Sequence, residues 1–114
     1  MNDITIVTEL TDASSIDDLK DFGNALAQKL DKGVGVLGAT LEKPSLVVVI
    51  SDRLVKKGLH AGVVAKELGS LMGGGGGGRP NMATAGGKDD ESLISALKKA
   101  VNIVKKNIEE NNAV

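Results

Sequence analysis

Leu46-Val47-Val48-Val49-Ile50 is the most strongly apolar stretch of the chain, and all of its side chains are aliphatic. Valine and isoleucine are β-branched and favour an extended backbone. A run without any polar position is typical of a strand that is covered on both faces of its sheet. We therefore expect residues 46–50 to form a central strand of the fold.

A strand and a helix are predicted at the start of the chain. Residues 4–8 are rich in β-branched side chains and predict a short opening strand. Ser15 followed by Asp18 resembles a capping box and marks the start of a helix, which is expected to end near Lys32-Gly33. The apolar positions of this helix recur at spacings of three and four, at Ile16, Leu19, Phe22, Leu26 and Leu30.

A strand is also predicted at residues 34–37, which are joined to residues 46–50 by a turn at residues 41–44. Beyond the central strand, residues 59–72 show the apolar spacing of a helix, and the glycines in it suggest close packing against a neighbour. Six consecutive glycines then occupy residues 73–78. No regular helix can persist there, so a loop is expected.

Two elements complete the chain. Residues 81–87 predict one short strand after Arg79-Pro80, which restricts the backbone, and residues 93–108 predict a long amphipathic helix. The expected fold is α/β of the layered α+β type, with a mixed β-sheet packed against three helices in the order βαββα, glycine loop, short strand, α. The 114 residues fit a single globular domain spanning residues 1–114.

Composition limits the classes of function. Phe22 is the only aromatic residue, which excludes a site that stacks successive bases on aromatic rings, as many single-strand RNA readers do. The formal net charge is −1, so a nucleic-acid contact has to come from a local basic patch. There is no cysteine, which excludes disulfides, thiolate nucleophiles and cysteine-ligated zinc.

No targeting or membrane segment is predicted. Residues 1–10 are acidic and alternating, without the basic start and apolar run of a secretory signal. The longest apolar run is far shorter than the roughly 20 residues that span a bilayer. We expect a soluble, cytoplasmic protein with no membrane partner.

The six glycines are costly, because each glycine loses more backbone freedom on folding than any other residue. The compensating property is a backbone that approaches another molecule closely and presents N–H groups without a Cβ in the way. A flexible linker is the alternative, but linkers usually mix in serine and charge, whereas this run continues as RPNMATAGG over residues 79–87. We therefore expect a shaped loop that contacts a polyanion or a flat base pair.

Two phosphate-binding motifs are excluded at this run. Gly73, Gly75 and Gly78 match G-x-G-x-x-G, but any six-glycine run does, and a predicted helix precedes it where the dinucleotide fingerprint requires a strand. The Walker loop requires G-K-[ST] at its end, whereas Gly78 is followed by Arg79 and Pro80. A nucleotide triphosphatase is therefore not expected.

Two segments carry a resemblance to a known family. Residues 54–62 read LVKKGLHAG, and residues 73–88 read GGGGGGRPNMATAGGK. Together with the order of elements, they resemble the DHH-associated domain that ends alanyl-tRNA synthetases and that also accompanies the catalytic domain of DHH phosphodiesterases. The resemblance covers nearly the whole chain. Asn81 and Thr84 depart from the family, whose members often have aspartate and glutamine there, and neither change breaks the motif.

The resemblance implies a tRNA-binding module that belongs to a much larger alanine–tRNA ligase. In the family this region grips the outer corner of tRNA(Ala) and helps the aminoacylation and editing sites act on one molecule. Catalysis, and with it ATP, magnesium and zinc, would belong to earlier domains of the parent. The module itself is expected to be inactive and to hold no cofactor. In some members the region also supports dimerisation, mainly through a preceding helical part that is not in this chain, so a homo-oligomer through the parent's C-terminal region is a further expectation.

The residues expected to contact nucleic acid follow from the motif. They are Gly73, Gly74, Gly75, Gly76, Gly77, Gly78, Arg79, Pro80, Asn81, Lys56, Lys57 and His60. Arg79 leads this set, since its planar guanidinium can pair with a phosphate or stack on a base. His60 has no convincing partner for catalysis, and a lone histidine is more often a helix-start or packing residue than a catalyst. Lys56 and Lys57 would form a basic rim, with ordinary solvation as the alternative.

Other functions stay open at the level of sequence. The chain could be the substrate-binding half of a DHH-type phosphodiesterase or a free-standing nucleic-acid-binding paralogue, and the helix at residues 93–108 is a weaker candidate for self-association. The sequence upstream of this chain would distinguish a phosphodiesterase parent from a synthetase parent. A phosphodiesterase would show an Asp-His-His metal motif, and a synthetase would show a histidine-and-cysteine editing site.

Overall fold

The computed structural model describes residues 4–112, which form one five-stranded sheet and four helices. The strands are β1 (Thr5–Leu10), β2 (Gly33–Thr40), β3 (Pro44–Ile50), β4 (Gly75–Gly78) and β5 (Met82–Gly86). The helices are α1 (Ile16–Lys29), α2 (Asp52–Lys56), α3 (Ala61–Leu71) and α4 (Asp90–Asn112). The strand order is β1-β2-β3-β5-β4, with β1 parallel to β2 and all other neighbours antiparallel. The mixed sheet of a layered α+β fold is confirmed.

β3 is the central strand of the sheet, as the apolar run at residues 46–50 predicts. It lies between β2 and β5, and none of the side chains in that run is more than 2% exposed. Leu46 and Val48 face the core that contains α3 and α4, whereas Val47 and Val49 face α1. Helices therefore cover this strand on both sides.

α1 starts at the predicted cap. The backbone N–H of Asp18 donates to the Ser15 hydroxyl over 3.1 Å. The Asp18 carboxylate in turn accepts from the backbone N–H of Ser14 over 3.2 Å and from its hydroxyl, and these bonds, chiefly the hydroxyl, lower the pKa of Asp18. The helix buries Leu19 completely, but Phe22 stays 40% exposed.

The two faces of the sheet are covered unequally. α3 and α4 pack across one face and form the larger core with β2, β3 and β5. On the other face α1 packs on β2 and β3. Within residues 4–112 no helix packs over β4 on that second face, where Gly75 and Gly77 are exposed and Thr84 is half-buried. An open half-sheet results beside α1.

The glycine run differs from the predicted loop. Residues 75–78 form β4, which pairs antiparallel with β5. Glycine does not favour strands, so pairing with β5 and packing by α3 impose the extended backbone. α2 is the second difference, because five residues are too few to show a helical period, and it makes four helices where three were expected. No helix in the described range is long and apolar enough to cross a membrane.

Candidate nucleic-acid interface

The glycines at even positions of the run are required by packing. A Cβ on Gly76 would lie 2.5 Å from the carbonyl oxygen of Ala65 in α3, and one on Gly78 would lie 2.7 Å from the Cα of Ala83 in β5. α3 also requires a glycine at this contact, because a Cβ on Gly69 would lie 2.5 Å from the carbonyl carbon of Gly75. α3 and β4 therefore meet backbone to backbone, as the glycines of that helix predicted.

Gly75 and Gly77 are not required by packing. A Cβ on either residue would meet no atom within 4 Å, and neither has a positive φ. Both project onto the open face of the sheet, since neighbouring residues of a strand point to opposite faces. Neither space nor backbone conformation explains why these positions lack side chains, so they leave a bare backbone surface.

The first glycines of the run end α3. Gly73 has φ +75°, a left-handed conformation that glycine adopts without strain at a helix C-terminus. The backbone N–H of Gly74 donates to the carbonyl of Gly69 over 2.9 Å. These two residues turn the chain from the helix into the strand.

The tip of the β4–β5 hairpin is tied down by backbone hydrogen bonds. The N–H of Arg79 donates to Met82 over 2.9 Å and closes the hairpin. The carbonyl of Pro80 accepts from Ala61 over 2.8 Å, and the carbonyl of Asn81 accepts from the last residue of β3 over 3.0 Å. The side chains of Arg79 and Asn81 remain exposed, so a fixed backbone presents them to solvent.

α1 forms the other wall of a groove along the open half-sheet. We call this surface the glycine shelf, and its lining includes Lys20, Asn24, Gly77, Arg79, Asn81 and Thr84. The groove has a volume of about 470 Å³. It continues past Asn24 and Asn81 into a second groove of about 370 Å³ that ends at Asp31 and Arg53. Lys20 and Asn24, one turn apart on α1, thus face the glycine hairpin across a polar cleft.

The charge of the glycine shelf is positive. Within residues 4–112, neither Lys20 nor Arg79 takes part in an ion pair, whereas Arg53 in the adjoining groove pairs with Asp31 over 3.2 Å. Asn24, Asn81 and Thr84 add neutral groups that can donate and accept hydrogen bonds. The arrangement suits a phosphate-bearing ligand.

His60 has a structural position beside the shelf. It caps α3, with its Nδ1 accepting from the backbone N–H of Gly62 over 3.0 Å. A Cβ on Gly62 would lie 2.8 Å from the carbonyl oxygen of Gly78, so the imidazole lies close to the end of β4. Lys56 and Lys57 are exposed at the end of α2 and do not belong to the groove lining.

The structure adds three residues, Lys20, Asn24 and Thr84, that were not among the predicted contact residues. Lys20 and Asn24 lie four positions apart on the polar side of α1, a spacing that places side chains on one face of a helix. That spacing was visible in the sequence, but polar helix positions are usually only solvated. Thr84 belongs to the shelf because it pairs with Gly77 in the β4–β5 register.

Residues 4–112 contain no group of three His, Asp or Glu side chains placed to hold a metal ion.

Comparisons with known proteins agree on one family. The DHHA1 domain matches residues 4–106. The alanine–tRNA ligase of Acetivibrio thermocellus is 42% identical over 105 residues, which cover 91% of this chain and 12% of that protein. The ligase of Natranaerobius thermophilus is 38% identical over 106 residues, with coverage of 92% and 12%. This chain therefore spans about an eighth of the length of these relatives.

A solved structure extends the match to the fold. The crystal structure of the C-Ala domain from Aquifex aeolicus alanyl-tRNA synthetase has a TM-score of 0.70 and 26% sequence identity, and 88% of each chain is covered. The resemblance inferred from the glycine motif is confirmed by sequence and by structure. The chain belongs to the DHHA1 domain family, in the form that alanyl-tRNA synthetases carry.

Proposed function

We propose that this chain is the tRNA-binding C-terminal module of an alanine–tRNA ligase and that it binds tRNA(Ala) through the glycine shelf. One observation carries the proposal: Gly75 and Gly77 lack side chains where packing leaves room for them. A strand built this way costs stability, and a function that needs close approach to the backbone accounts for that cost.

The chemistry of the shelf fits the backbone and shape of a folded RNA. Arg79 and Lys20 supply positive charge for phosphates, and Asn24 and Thr84 supply hydrogen-bonding groups for ribose or phosphate oxygens. Bare backbone at Gly77 permits a base pair or a sugar-phosphate segment to lie flat on the sheet. With a single aromatic residue in the chain, recognition by shape is favoured over base stacking.

The rest of the parent's chemistry is proposed to lie outside this chain. The relatives are alanine–tRNA ligases about eight times longer than the matched segment, which favours a synthetase over a phosphodiesterase as the parent. We assign aminoacylation, editing, ATP, magnesium and zinc to that remaining length and place the parent in the cytoplasm. The module would hold the outer corner of the tRNA and take no part in bond making.

Binding of a tRNA(Ala) transcript to the chain tests the proposal. Gly77→Val adds a side chain into open space, so the fold should persist while the RNA is pushed off the shelf. Arg79→Ala removes one charged hydrogen-bond donor group and should weaken binding about tenfold. Lys98→Ala, an exposed charge on α4, is the matched control and should leave affinity nearly unchanged.

Fluorescence anisotropy with the three variants, each checked by circular dichroism, gives the readout. An unrelated elongator tRNA should bind with similar affinity if shape is what the shelf reads. Should Lys98→Ala weaken binding as much as Arg79→Ala, with Gly77→Val neutral, the contact surface would be α4 and the shelf assignment would be wrong.

A further inference from the structure

β1 is an edge strand with a free side. Among the described residues it pairs only with β2. Thr5 and Thr11 donate their backbone N–H groups towards the β2 side over 2.9 and 2.7 Å. Bonded residues alternate along a parallel ladder, so the N–H and C=O groups of Ile6, Thr8 and Leu10 point to the free side.

This edge lacks the usual protection against pairing. Natural edge strands are blunted by lysine, proline, bulges or a covering element. β1 reads TIVTEL, with neither lysine nor proline and with Glu9, near its end, as its one charged residue, and most of its residues favour extended structure. The opposite edge differs, because β4 runs directly into Arg79-Pro80.

An apolar groove of about 640 Å³ lies beside this free side, between β1 and α1. Its apolar lining includes Val7, Leu10, Phe22 and Leu26. Leu10 is 48% exposed and Phe22 is 40% exposed, and Phe22 is the only aromatic residue of the chain. Large apolar side chains grouped next to an unpaired strand mark an interaction surface.

The two ends of the groove carry opposite charges. Glu9 and Asp12 line the end where β1 finishes, and Lys29 lines the groove from the last residue of α1. The C-terminal end of α1 lies level with the start of β1, because Leu30 contacts Gly33 and Gly33 pairs with Thr5. The acidic and basic ends are therefore separated along the strand.

We propose that a second copy of this chain pairs antiparallel with β1 about a two-fold axis at Thr8. In this register Ile6 lies opposite Leu10 of the partner subunit, and Thr8 lies opposite Thr8 of the partner subunit. Every outward N–H and C=O group of these residues then finds a partner, because hydrogen-bonded pairs exchange both bonds. The two five-stranded sheets join into one continuous sheet.

Charge and shape both select this partner. A two-fold axis perpendicular to the sheet puts both α1 helices on the same face, so each Phe22 is covered by the groove of the other subunit. Antiparallel pairing also places Lys29 of one subunit beside Glu9 and Asp12 of the other. An identical strand laid parallel would bring the acidic ends together, which is unfavourable.

Sedimentation equilibrium over a concentration series tests the pairing. The unaltered chain should pass from monomer to dimer. Thr8→Pro removes an N–H that is not used in the monomer, and Leu10→Lys puts a charge at the apolar pair, so each should raise the dimer dissociation constant at least about tenfold. Ile94→Lys, at an α4 position with a similar exposure of 42%, is the matched control and should not change it.

Two further sets of variants test the charge pairing and the register of the proposed dimer. Lys29→Glu should weaken the dimer, and the double variant Lys29→Glu/Glu9→Lys should restore it. Since the chain has no cysteine, Thr8→Cys should be joined to its copy by a short thiol-specific cross-linker, because hydrogen-bonded antiparallel partners lie about 5.5 Å apart at Cα. Ser95→Cys on α4 is the control and should not cross-link.

Two results would overturn the proposal. One is a monomer at all concentrations up to about 1 mM, the weak limit of useful association. The other is a dimer that Thr8→Pro and Leu10→Lys leave unchanged and that Thr8→Cys does not trap, since it would use another surface. These measurements contain no RNA, so they are independent of the shelf.

Discussion

Neighbouring glycines in β4 are chemically identical but are constrained by different surroundings. Gly76 faces α3, where the carbonyl oxygen of Ala65 leaves no room for a methyl group. Gly77 faces the open side of the sheet and meets nothing. The same substitution at these two positions should therefore have effects of opposite sign on stability.

We expect Gly76→Ala to destabilise the fold by about 1–3 kcal/mol, because the methyl group must push α3 from the strand. Gly77→Ala should raise the free energy of unfolding by about 0.5–1 kcal/mol, since it removes glycine's extra entropy cost without strain. Urea titrations of both variants against the unaltered chain measure the difference. Equal losses at both positions would show that the open face is in fact occupied.

This distinction could not be predicted from sequence. The run indicated a special backbone requirement, and Arg79 was predicted to be the leading contact residue beside it. Which glycines serve packing and which serve the surface depends on the side of β4 that α3 covers. That information lies in tertiary contacts, because six identical residues carry no pattern of their own.

At the scale of elements, the N-terminal cap of α4 makes a pH-dependent contribution to the stability of the fold. The backbone N–H of Ser92 donates to the Asp89 carboxylate over 2.8 Å, and this bond, followed by the Ser92 side chain, lowers the pKa of Asp89 below its ordinary value of 3.8. A carboxyl whose pKa is lower in the folded state stabilises the fold above that ordinary value. The contribution disappears as the pH falls through the folded pKa.

Asp89→Asn should therefore lower the urea midpoint slightly at pH 7, because the amide keeps the cap but loses the charge at the helix N-terminus. As the pH is lowered from 7 through the folded pKa of Asp89, the carboxyl becomes neutral and the two midpoints should converge. A difference that stays constant over the whole pH range would assign the effect to shape and not to charge.

Elements with a strong period were predicted well, and those without one were missed. The aliphatic run placed β3 at the sheet centre, and Ser15 placed the start of α1. β4 was missed because glycine has no strand preference, and its extended form depends on β5 and α3. α2 was missed because a helix of five residues is too short to show a repeat.

For the whole molecule, the distribution of charge limits how the chain can bind RNA. The net charge is −1, and the groove of the glycine shelf is lined by two cationic residues, Lys20 and Arg79. Each phosphate contact contributes a slope of about −0.7 to −0.9 to the dependence of log K on log salt concentration. Two contacts predict a total slope of roughly −1.4 to −1.8.

Arg79→Ala should reduce the magnitude of that slope by slightly less than one, in addition to lowering affinity. Binding isotherms at several salt concentrations measure both quantities together. A slope several times steeper would mean that the RNA also covers the lysines of α4, and the bound surface would then be much wider than the shelf.

The order of strands in the sheet could not be predicted from sequence patterns. Periodicity identifies strands but not their neighbours, and β5 enters the sheet beside β3 while the earlier β4 takes the edge. The shelf exists because of this order, which moves the glycine strand away from α1 and leaves a cleft between them. Lys20 and Asn24 thus became site residues only through topology.

The hydrogen bonds that fix the hairpin tip have a thermodynamic consequence. The carbonyls of Pro80 and Asn81 accept hydrogen bonds from α3 and β3. The loop that carries Arg79 has therefore already lost its backbone freedom before any ligand binds. A preorganised site gives up little conformational entropy on association. Contacts at this tip can then convert more of their interaction energy into affinity than the same residues would on a mobile linker.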